Sequence, residues 1–247
     1  MPQMFPSHKS LLSRPRILDH IEAGSIVVSP FDPENVGTNQ YDVTLGAHYF
    51  RANKPKDGHL LLGDTPIYNP FDQNCVESVW EQYKAVHHEN LANQLGWPSL
   101  IPNIGAEERV ILIMPGETIL AHTNEFIGGV GPNITTMMKA RSSTGRNFIE
   151  VCKCAGMGDI GYCNRWTMEI TNNSIDYALP LVVGRRIAQL VFFETDPLLA
   201  EDTDYADSGK YQTSSDLAEL MSTWRPMDML PKQWRDREVR KLNSKDD

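Results

Sequence analysis

The sequence predicts a mainly β protein, a barrel or a sandwich, and three observations carry that prediction. From residue 108 onward short apolar runs follow one another closely: RVILIMPGE, TILAHTNEFI, ITTMMKARSS, FIEVCKCAG, RWTMEITNNS, LPLVVG and RIAQLVFFE. These runs are rich in β-branched residues, whose stiff side chains suit a pleated surface. Gly, Pro and Asn punctuate them as turns between short strands do.

In chain order, the first element is a short amphipathic helix in LLSRPRILDHIEAG, with Ile17, Leu18 and Ile21 on one face and Gly24 as its stop. SIVVSP reads as a strand ended by Pro30. NQYDVTLGAHYFRA reads as a half-buried strand that alternates Tyr41, Val43 and Leu45 with polar partners. Residues 52 to about 107 interrupt the β pattern. RANKPKDGHLLLGDTPIYNPFDQN is dense in turn formers, and CVESVWEQYKAVHHENLANQLG carries Val79, Tyr83, Val86 and Leu91 at helical spacing up to Gly96. This predicts a helical insertion outside the main sheet. The last stretch, DLAELMSTWRPMDMLPKQWRDREVRKLNSKDD, predicts a short helix, a Pro-interrupted connection and a charged end, exposed or draped over a neighbour.

Composition narrows the function. A chain of 247 residues is long enough for a sizeable core. No run approaches the roughly eighteen apolar residues of a membrane helix, and the opening MPQMFPSHKSLLSRPR lacks the apolar centre of a secretory signal. A soluble, cytoplasmic protein with no membrane partner is expected. A net charge of -9 and a pI near 5.3 lack the basic face that nucleic-acid phosphates require, so no nucleic-acid partner is expected. A small phosphorylated ligand needs only a few local cations and stays open. The four cysteines, Cys75, Cys152, Cys154 and Cys163, are too sparse for a disulfide scaffold and lack the paired spacing of structural zinc. On an alternating strand Cys152 and Cys154 share a face, as reduced thiols packed in or near a site.

Two stretches carry chemistry. MMKARSSTGRNF sets Arg141 and Arg146 either side of Ser142, Ser143, Thr144 and Gly145. Such a segment is either a solvated loop or a cradle for a flat anionic ligand such as a nucleotide, because guanidinium pairs bidentately with phosphate. AGMGDIGYCNRWTMEITNN sets Asp159 among glycines and Glu169 inside an apolar strand. A carboxylate there either points outward by alternation or is held by a partner. Beside an arginine it stays ionised and serves as a general base.

ARSSTGR, AGMGDIGYCNRWTMEITN, VGRRIAQLVF and YADSGKYQ, in that order, resemble the motif series of the dCTP deaminases, members of the trimeric dUTPase-like superfamily. GSIVVSPFDPENV and NQYDVTLG resemble that family's opening, and the similarity runs from about residue 10 to about residue 215 apart from the insertion. The resemblance implies a dUTPase-like distorted β-barrel or jelly-roll. It makes 1–247 a single domain, with a helical insertion at about 52–107 and a C-terminal flap and tail at about 203–247. It implies a zinc-independent hydrolase that converts dCTP to dUTP and ammonia in pyrimidine deoxynucleotide synthesis. By position, Glu169 matches the catalytic glutamate that activates water for attack on C4 of cytosine, and Ser142 and Arg146 match residues that hold the base and that water. Arg141 and Ser143 match phosphate-side contacts, Ala155 a backbone contact to the base, Asp159 the acid under the deoxyribose, and Tyr162 the aromatic residue against the sugar. Gln189, Tyr205, Lys210 and Gln212 match triphosphate contacts, the last three on a segment that closes over the site. Also implied are Mg2+ carried by the triphosphate, dTTP as an inhibitor, and a homotrimer with active sites between subunits.

The chain departs from that pattern at three places. Asn164 stands where the family has glycine, and asparagine tolerates left-handed backbone, so the turn is expected to survive. Cys152 and Cys154 replace a histidine and a threonine near the base, which brings a C5-modified dCTP among the substrates. TSSD follows KYQ where members carry another glutamine. Other readings compete. HHE at residues 87–89 matches half of a zinc-deaminase signature, but the P-C-x-x-C half is absent, and both histidines read as surface positions. A dUTPase would use Asp159 against the α-phosphate. With Glu169 present as well, a bifunctional enzyme giving dUMP and diphosphate stays open. A catalytically dead nucleotide-binding protein is the alternative from another class.

Overall fold

A computed structural model of the chain describes residues 10–53, 60–199, 201–212 and 214–243. Residues 1–9 of the opening, 54–59 of the turn-rich stretch, Thr213 of TSSD and 244–247 of the charged end lie outside the described residues.

The helices are α1 (Arg14–Glu22), α2 (Gln73–Val79), α3 (His88–Leu95), α4 (Ser142–Arg146), α5 (Tyr205–Ser208), α6 (Leu217–Thr223) and α7 (Arg237–Asn243). The strands are β1 (Ile26–Ser29), β2 (Tyr41–Ala52), β3 (Leu61–Leu62), β4 (Thr65–Pro66), β5 (Trp80–Lys84), β6 (Val86–His87) and β7 (Arg109–Ile113). They continue as β8 (Thr118–Gly129), β9 (Ile134–Ala140), β10 (Ile149–Val151), β11 (Met157–Gly158), β12 (Cys163–Asn172), β13 (Leu179–Val182) and β14 (Arg186–Glu194). Among the described residues nine strands form one sheet, ordered β10-β12-β8-β2-β14-β9-β11, with β1 added on β8 and β5 on β2. β13, β7 and β6 form a second sheet, and β3 pairs with β4. No described helix is long and apolar enough to cross a membrane.

Helix α1 forms as expected. Pro15 sits in its first turn, where a missing N–H costs nothing, and Ile17 is buried with Leu18 and Ile21 packed beside it. β2 is more buried than alternation predicts: residues 41–46 are buried on both faces. Its polar positions are satisfied instead of solvated. Thr44 donates its N–H and hydroxyl to the Glu125 carboxylate at 3.0 and 2.7 Å, and Asp42 accepts from Arg186 and Gln189 at 3.0 and 3.2 Å. The main core joins Tyr41, Val43 and Leu45 to Ile119, Ala121, Ile127, Met168, Ile170, Leu190 and Phe192.

The insertion departs from the expected single helix. α2 ends at Val79, and residues 80–84 switch to β5, antiparallel to β2 from Ala52↔Trp80 to His48↔Lys84. Val86 and His87 then pair with β7 before α3 begins. The insertion therefore joins the main sheet. The reason is the length of β2: β14 covers residues 41–44 only, and the aromatic-rich WEQYK supplies β-prone side chains for the rest. His88 is not a surface residue. It is fully buried, with Nδ1 donating to Ile104 O at 3.2 Å and Nε2 accepting from Ile101 N–H at 3.1 Å.

The charged end, from Gln233 to Leu242, is largely exposed, as expected. The Pro-interrupted connection before it packs on the chain's own sheet. Met229 and Leu230 are buried with Phe50, Val76 and Leu120, against Trp80 and Trp224. Full burial of such side chains stabilises by about 1.5–3 kcal/mol each. Insertion, sheet and tail thus share one apolar cluster.

Candidate active site

Along β12 the side chains of Trp166, Met168 and Ile170 are buried, while Arg165, Thr167 and Glu169 are half-buried. This alternation turns Glu169 off the core, but into a cavity of about 360 Å³ rather than open water. Ala155, Gly158, Asp159 and Tyr162 border the cavity from the connection into β12. Tyr205 and Tyr211 border it from the flap, and Trp224, Asp228, Met229 and Pro231 from the tail.

The connection that carries Ala155 and Asp159 is tightly turned. Cys152, Lys153 and Cys154 have φ of 67°, 30° and 68°. Residues with a Cβ adopt such angles only where surroundings enforce them. Here Cys152 N–H donates to Glu169 O at 3.0 Å, and Ala155 N–H donates to Cys152 O. The two cysteines therefore do not share a strand face, contrary to expectation. Cys152 is buried with Sγ 3.1 Å from Met138 Sδ, and Cys154 is exposed. Burial pushes the Cys152 thiol up to about 12, which keeps it protonated. Further on, Tyr162 N–H donates to Asp159 O at 3.0 Å, and Gly161 takes φ of 87°. A Cβ at Gly161 would lie 2.8 Å from Asp204. Glycine is needed there, and not at Asn164, which is a buried strand residue whose Nδ2 donates to Tyr211 O at 2.7 Å.

Burial pushes the Glu169 carboxyl above the ordinary glutamate range, opposed by its own backbone N–H and by the Lys153 ammonium. The cation that bears on Glu169 within one chain is Lys153, where Arg146 was expected. For Arg165, burial pulls the guanidinium down, opposed by Glu125. Its guanidinium carbon lies 4.8 Å from the Phe126 ring centroid and 4.7 Å from that of Trp224. Tyr162 packs edge-on against Trp166 and Tyr205, each at 5.1 Å, and burial pushes its phenol up. It forms a neutral wall. Behind Trp224, at 4.8 Å, lies the His122 ring. Its Nδ1 donates to Thr123 O at 2.7 Å, its Nε2 accepts from His48 N–H at 3.2 Å, and burial pushes it down to about 4.

Of the residues singled out in the sequence, Glu169, Ala155, Asp159, Tyr162 and Tyr205 meet in this cavity. The RSSTGR group does not. Ser142, Ser143 and Arg146 are exposed on α4, where Gly145 is helical and provides no bend. Ser143 borders a separate groove with residues 101–104. Arg141 Nε lies 3.5 Å from Asp42, the same carboxylate that accepts from Gln189. Lys210 is ion-paired with Asp236. Gln212 is buried, its Oε1 accepting from Cys163 N–H at 2.8 Å and its Nε2 donating to Gly161 O at 3.3 Å. Sequence reasoning missed Arg165, Thr167 and Trp224. Period-two spacing in RWTME marks Arg165 and Thr167 as partners of Glu169, whereas Trp224 carries no local signal. Among the described residues no three His, Cys, Asp or Glu side chains converge on a metal position.

The chain is similar in sequence and in overall fold to known proteins. A relative from Methanococcus maripaludis (strain C5), named "dCTP deaminase, dUMP-forming", is 28% identical over 197 residues, covering 80% of this chain and 86% of its own. A protein of the same name from Clostridium botulinum (strain Eklund 17B) is 26% identical over 205 residues, covering 83% and 92%. The crystal structure of 2'-deoxycytidine 5'-triphosphate deaminase from Agrobacterium tumefaciens matches with a TM-score of 0.50 at 14% identity over 78% of this chain. The match takes in half, 50%, of that solved chain. This likeness shows the fold, a mainly β architecture shared with that deaminase. A family model described as dCTP deaminase-like matches residues 11–195, from α1 through the end of β14 and including both RSSTGR and Glu169, and the chain belongs to that family.

Proposed function

We propose that the chain hydrolyses dCTP to dUTP and ammonia. The observation that carries this reading is Glu169, a half-buried carboxylate facing a cavity whose other walls include Ala155, Asp159 and Tyr162. The ionised carboxylate takes a proton from water as the water oxygen bonds to C4 of cytosine. The C4–N4 bond then breaks as the proton passes to N4, which leaves as ammonia, and the proton of the C4 hydroxyl moves to N3 to give the carbonyl of dUTP. Burial, which raises Glu169, makes it a better proton acceptor and supports this shuttle near neutral pH. Asp159 and Tyr162 hold the deoxyribose. Gln189, Tyr205 and Lys210 serve the triphosphate side, and dTTP competes there through the sugar and phosphates it shares.

Arg141, Ser142, Ser143 and Arg146 complete the site from a neighbouring copy in a homotrimer. Their supply from outside is supported by their absence from the cavity of their own chain. Mg2+ travels on the triphosphate oxygens. Such an enzyme acts on the cytoplasmic deoxynucleotide pool.

A second reading has its own support. Asp159 and Glu169 line one cavity, and the relatives' names include "dUMP-forming". In this reading water then attacks the α-phosphate of the dUTP formed, and diphosphate leaves. Product analysis with Mg2+ and separate dCTP, dUTP, dCMP and C5-modified dCTP tests both. Formation of dUTP and ammonia from dCTP supports the deaminase, and dUMP with diphosphate supports the bifunctional enzyme. Consumption of dUTP alone means a dUTPase. Turnover of the C5-modified nucleotide alone ties specificity to the Cys152–Cys154 turn. No turnover at all overturns the enzyme in favour of a nucleotide-binding protein.

A further inference from the structure

We propose that Arg165 is an additional substrate-binding residue, that it takes an oxygen of the nucleotide's 5′-phosphate chain, and that Trp224 positions it to do so. This rests on the reading of the cavity as a nucleotide site. Arg165 borders the same cavity as Glu169, Asp159, Tyr205 and Tyr211. Its guanidinium is held flat between Phe126 and Trp224, at 4.8 and 4.7 Å from their centroids. Its Nε is buried and has no hydrogen-bond partner. Among the described residues no carboxylate pairs with it. Glu125, the acid that acts on it through space, is occupied by Thr44 N–H and Oγ1 at 3.0 and 2.7 Å. Asp228, also on the cavity wall, accepts from Arg225 N–H at 2.9 Å and lies 3.8 Å from the Lys232 ammonium.

A half-buried cation without a counter-ion is costly unless a ligand supplies one. Arg165 shares a strand face with Glu169 but lies four residues earlier, about 13 Å at 3.3 Å per residue, on the wall of the same cavity. Its charge says which part of the ligand it takes: base and sugar are neutral, and the phosphate chain carries the nucleotide's negative charge. One cation and one amide donor expected for the phosphates are otherwise engaged in this chain, Lys210 with Asp236 and Gln212 Nε2 with Gly161 O. Phosphate oxygens match the planar donor fork of a guanidinium.

The test is a ligand ladder. Binding of deoxycytidine, dCMP and dCTP with Mg2+ is measured by calorimetry on the full chain as wild type, Arg165→Met, Arg165→Lys and Trp224→Leu, alongside kcat and KM for dCTP. Arg165→Met is expected to weaken dCTP binding about 10- to 100-fold, the range of a charge-assisted hydrogen bond, and to leave deoxycytidine binding unchanged. KM should rise more than kcat falls, Arg165→Lys should recover part of the loss, and Trp224→Leu should give a smaller loss of the same pattern. The rung at which variant and wild type part identifies the phosphate contacted. If the Met variant fails to fold, Arg165→Lys, which keeps charge and volume, carries the same comparison. Equal weakening of nucleoside and triphosphate means a structural role and overturns the proposal. So does an unchanged ladder in a protein that still deaminates dCTP. A wild type that neither binds nor turns over dCTP overturns the nucleotide reading itself, and this inference with it.

Discussion

The two halves of the candidate site are built by opposite means. On β12, Glu169, Thr167 and Arg165 are half-buried and roofed by the chain's own tail, which Met229 and Leu230 anchor in a shared apolar cluster. On α4, Ser142, Ser143 and Arg146 stand exposed on a five-residue helix, too short to be stable on its own. What holds α4 is local: Gly145 N–H donates to Arg141 O at 3.0 Å, and Asn147 Nδ2 donates to Ser143 O at 2.8 Å. The contrast follows from what each half must do. A base with a raised pKa needs a dry wall built by folding. In the proposed trimer, donors that only reach a ligand can wait on a surface for another copy to use.

The largest expected effect tests that division directly. Glu169→Gln should lower kcat about 10²- to 10⁴-fold with dCTP affinity largely retained. Arg146→Met should also remove activity. Co-assembled in equal amounts, the two inactive variants should regain about a quarter of wild-type activity, the share of sites uniting an intact Glu169 with an intact Arg146 from different copies. If both halves of a site come from one chain, no activity returns in the deamination assay.

Next in size is the roof. Leu230→Ala removes a buried side chain from the cluster with Phe50, Val76 and Leu120 and should cost about 2–5 kcal/mol in urea unfolding. Met221→Ala, at a tail position 43% exposed, should stay within about 0.5 kcal/mol of wild type. A neutral Leu230→Ala would mean that the tail does not pack on its own chain.

Acid should loosen the same region. His122 is held down to about 4 in the fold, against 6.5 for the free side chain, so between those values the unfolded chain binds more protons. Its contribution is fully present above about pH 6.5 and is lost as pH falls toward 4, amounting to about 3 kcal/mol. Glu125 and Glu169, both raised by burial, respond with the opposite sign. The readout is therefore the difference between wild type and His122→Gln in unfolding free energy at pH 7 and pH 4.5. Parallel pH dependence in the two proteins would show that His122 is not the buried neutral group.

Legibility in the sequence follows the same divide between local and distant causes. The strands from residue 108 onward are readable because period-two burial is written in adjacent residues. Asp159, Tyr162 and Glu169 are readable because one turn and one strand bring them to one cavity. WEQYK becomes a strand only on meeting the uncovered length of β2, with Trp80 opposite Ala52, and its helical spacing hides this. His88 is buried by the carbonyl and N–H of residues 104 and 101, and Met229 by Val76 and Leu120, all far along the chain. Cys152 reads as a strand residue, but it begins a left-handed turn through Lys153 and Cys154 that Ala155 N–H closes onto Cys152 O.

The smallest effect separates bracing from ligand binding at Gln212. Its buried amide accepts from Cys163 N–H and donates to Gly161 O, clamping both ends of the turn that presents Tyr162. Gln212→Ala leaves the Cys163 N–H without its acceptor and should cost about 1–3 kcal/mol in the absence of any nucleotide. Ser142→Ala, on the exposed half, should leave unfolding unchanged. Thermal unfolding without ligand decides it. A Gln212→Ala protein as stable as wild type, but weakened toward dCTP, would return Gln212 to the triphosphate. A destabilised one places it beneath the site, holding the sugar wall in position.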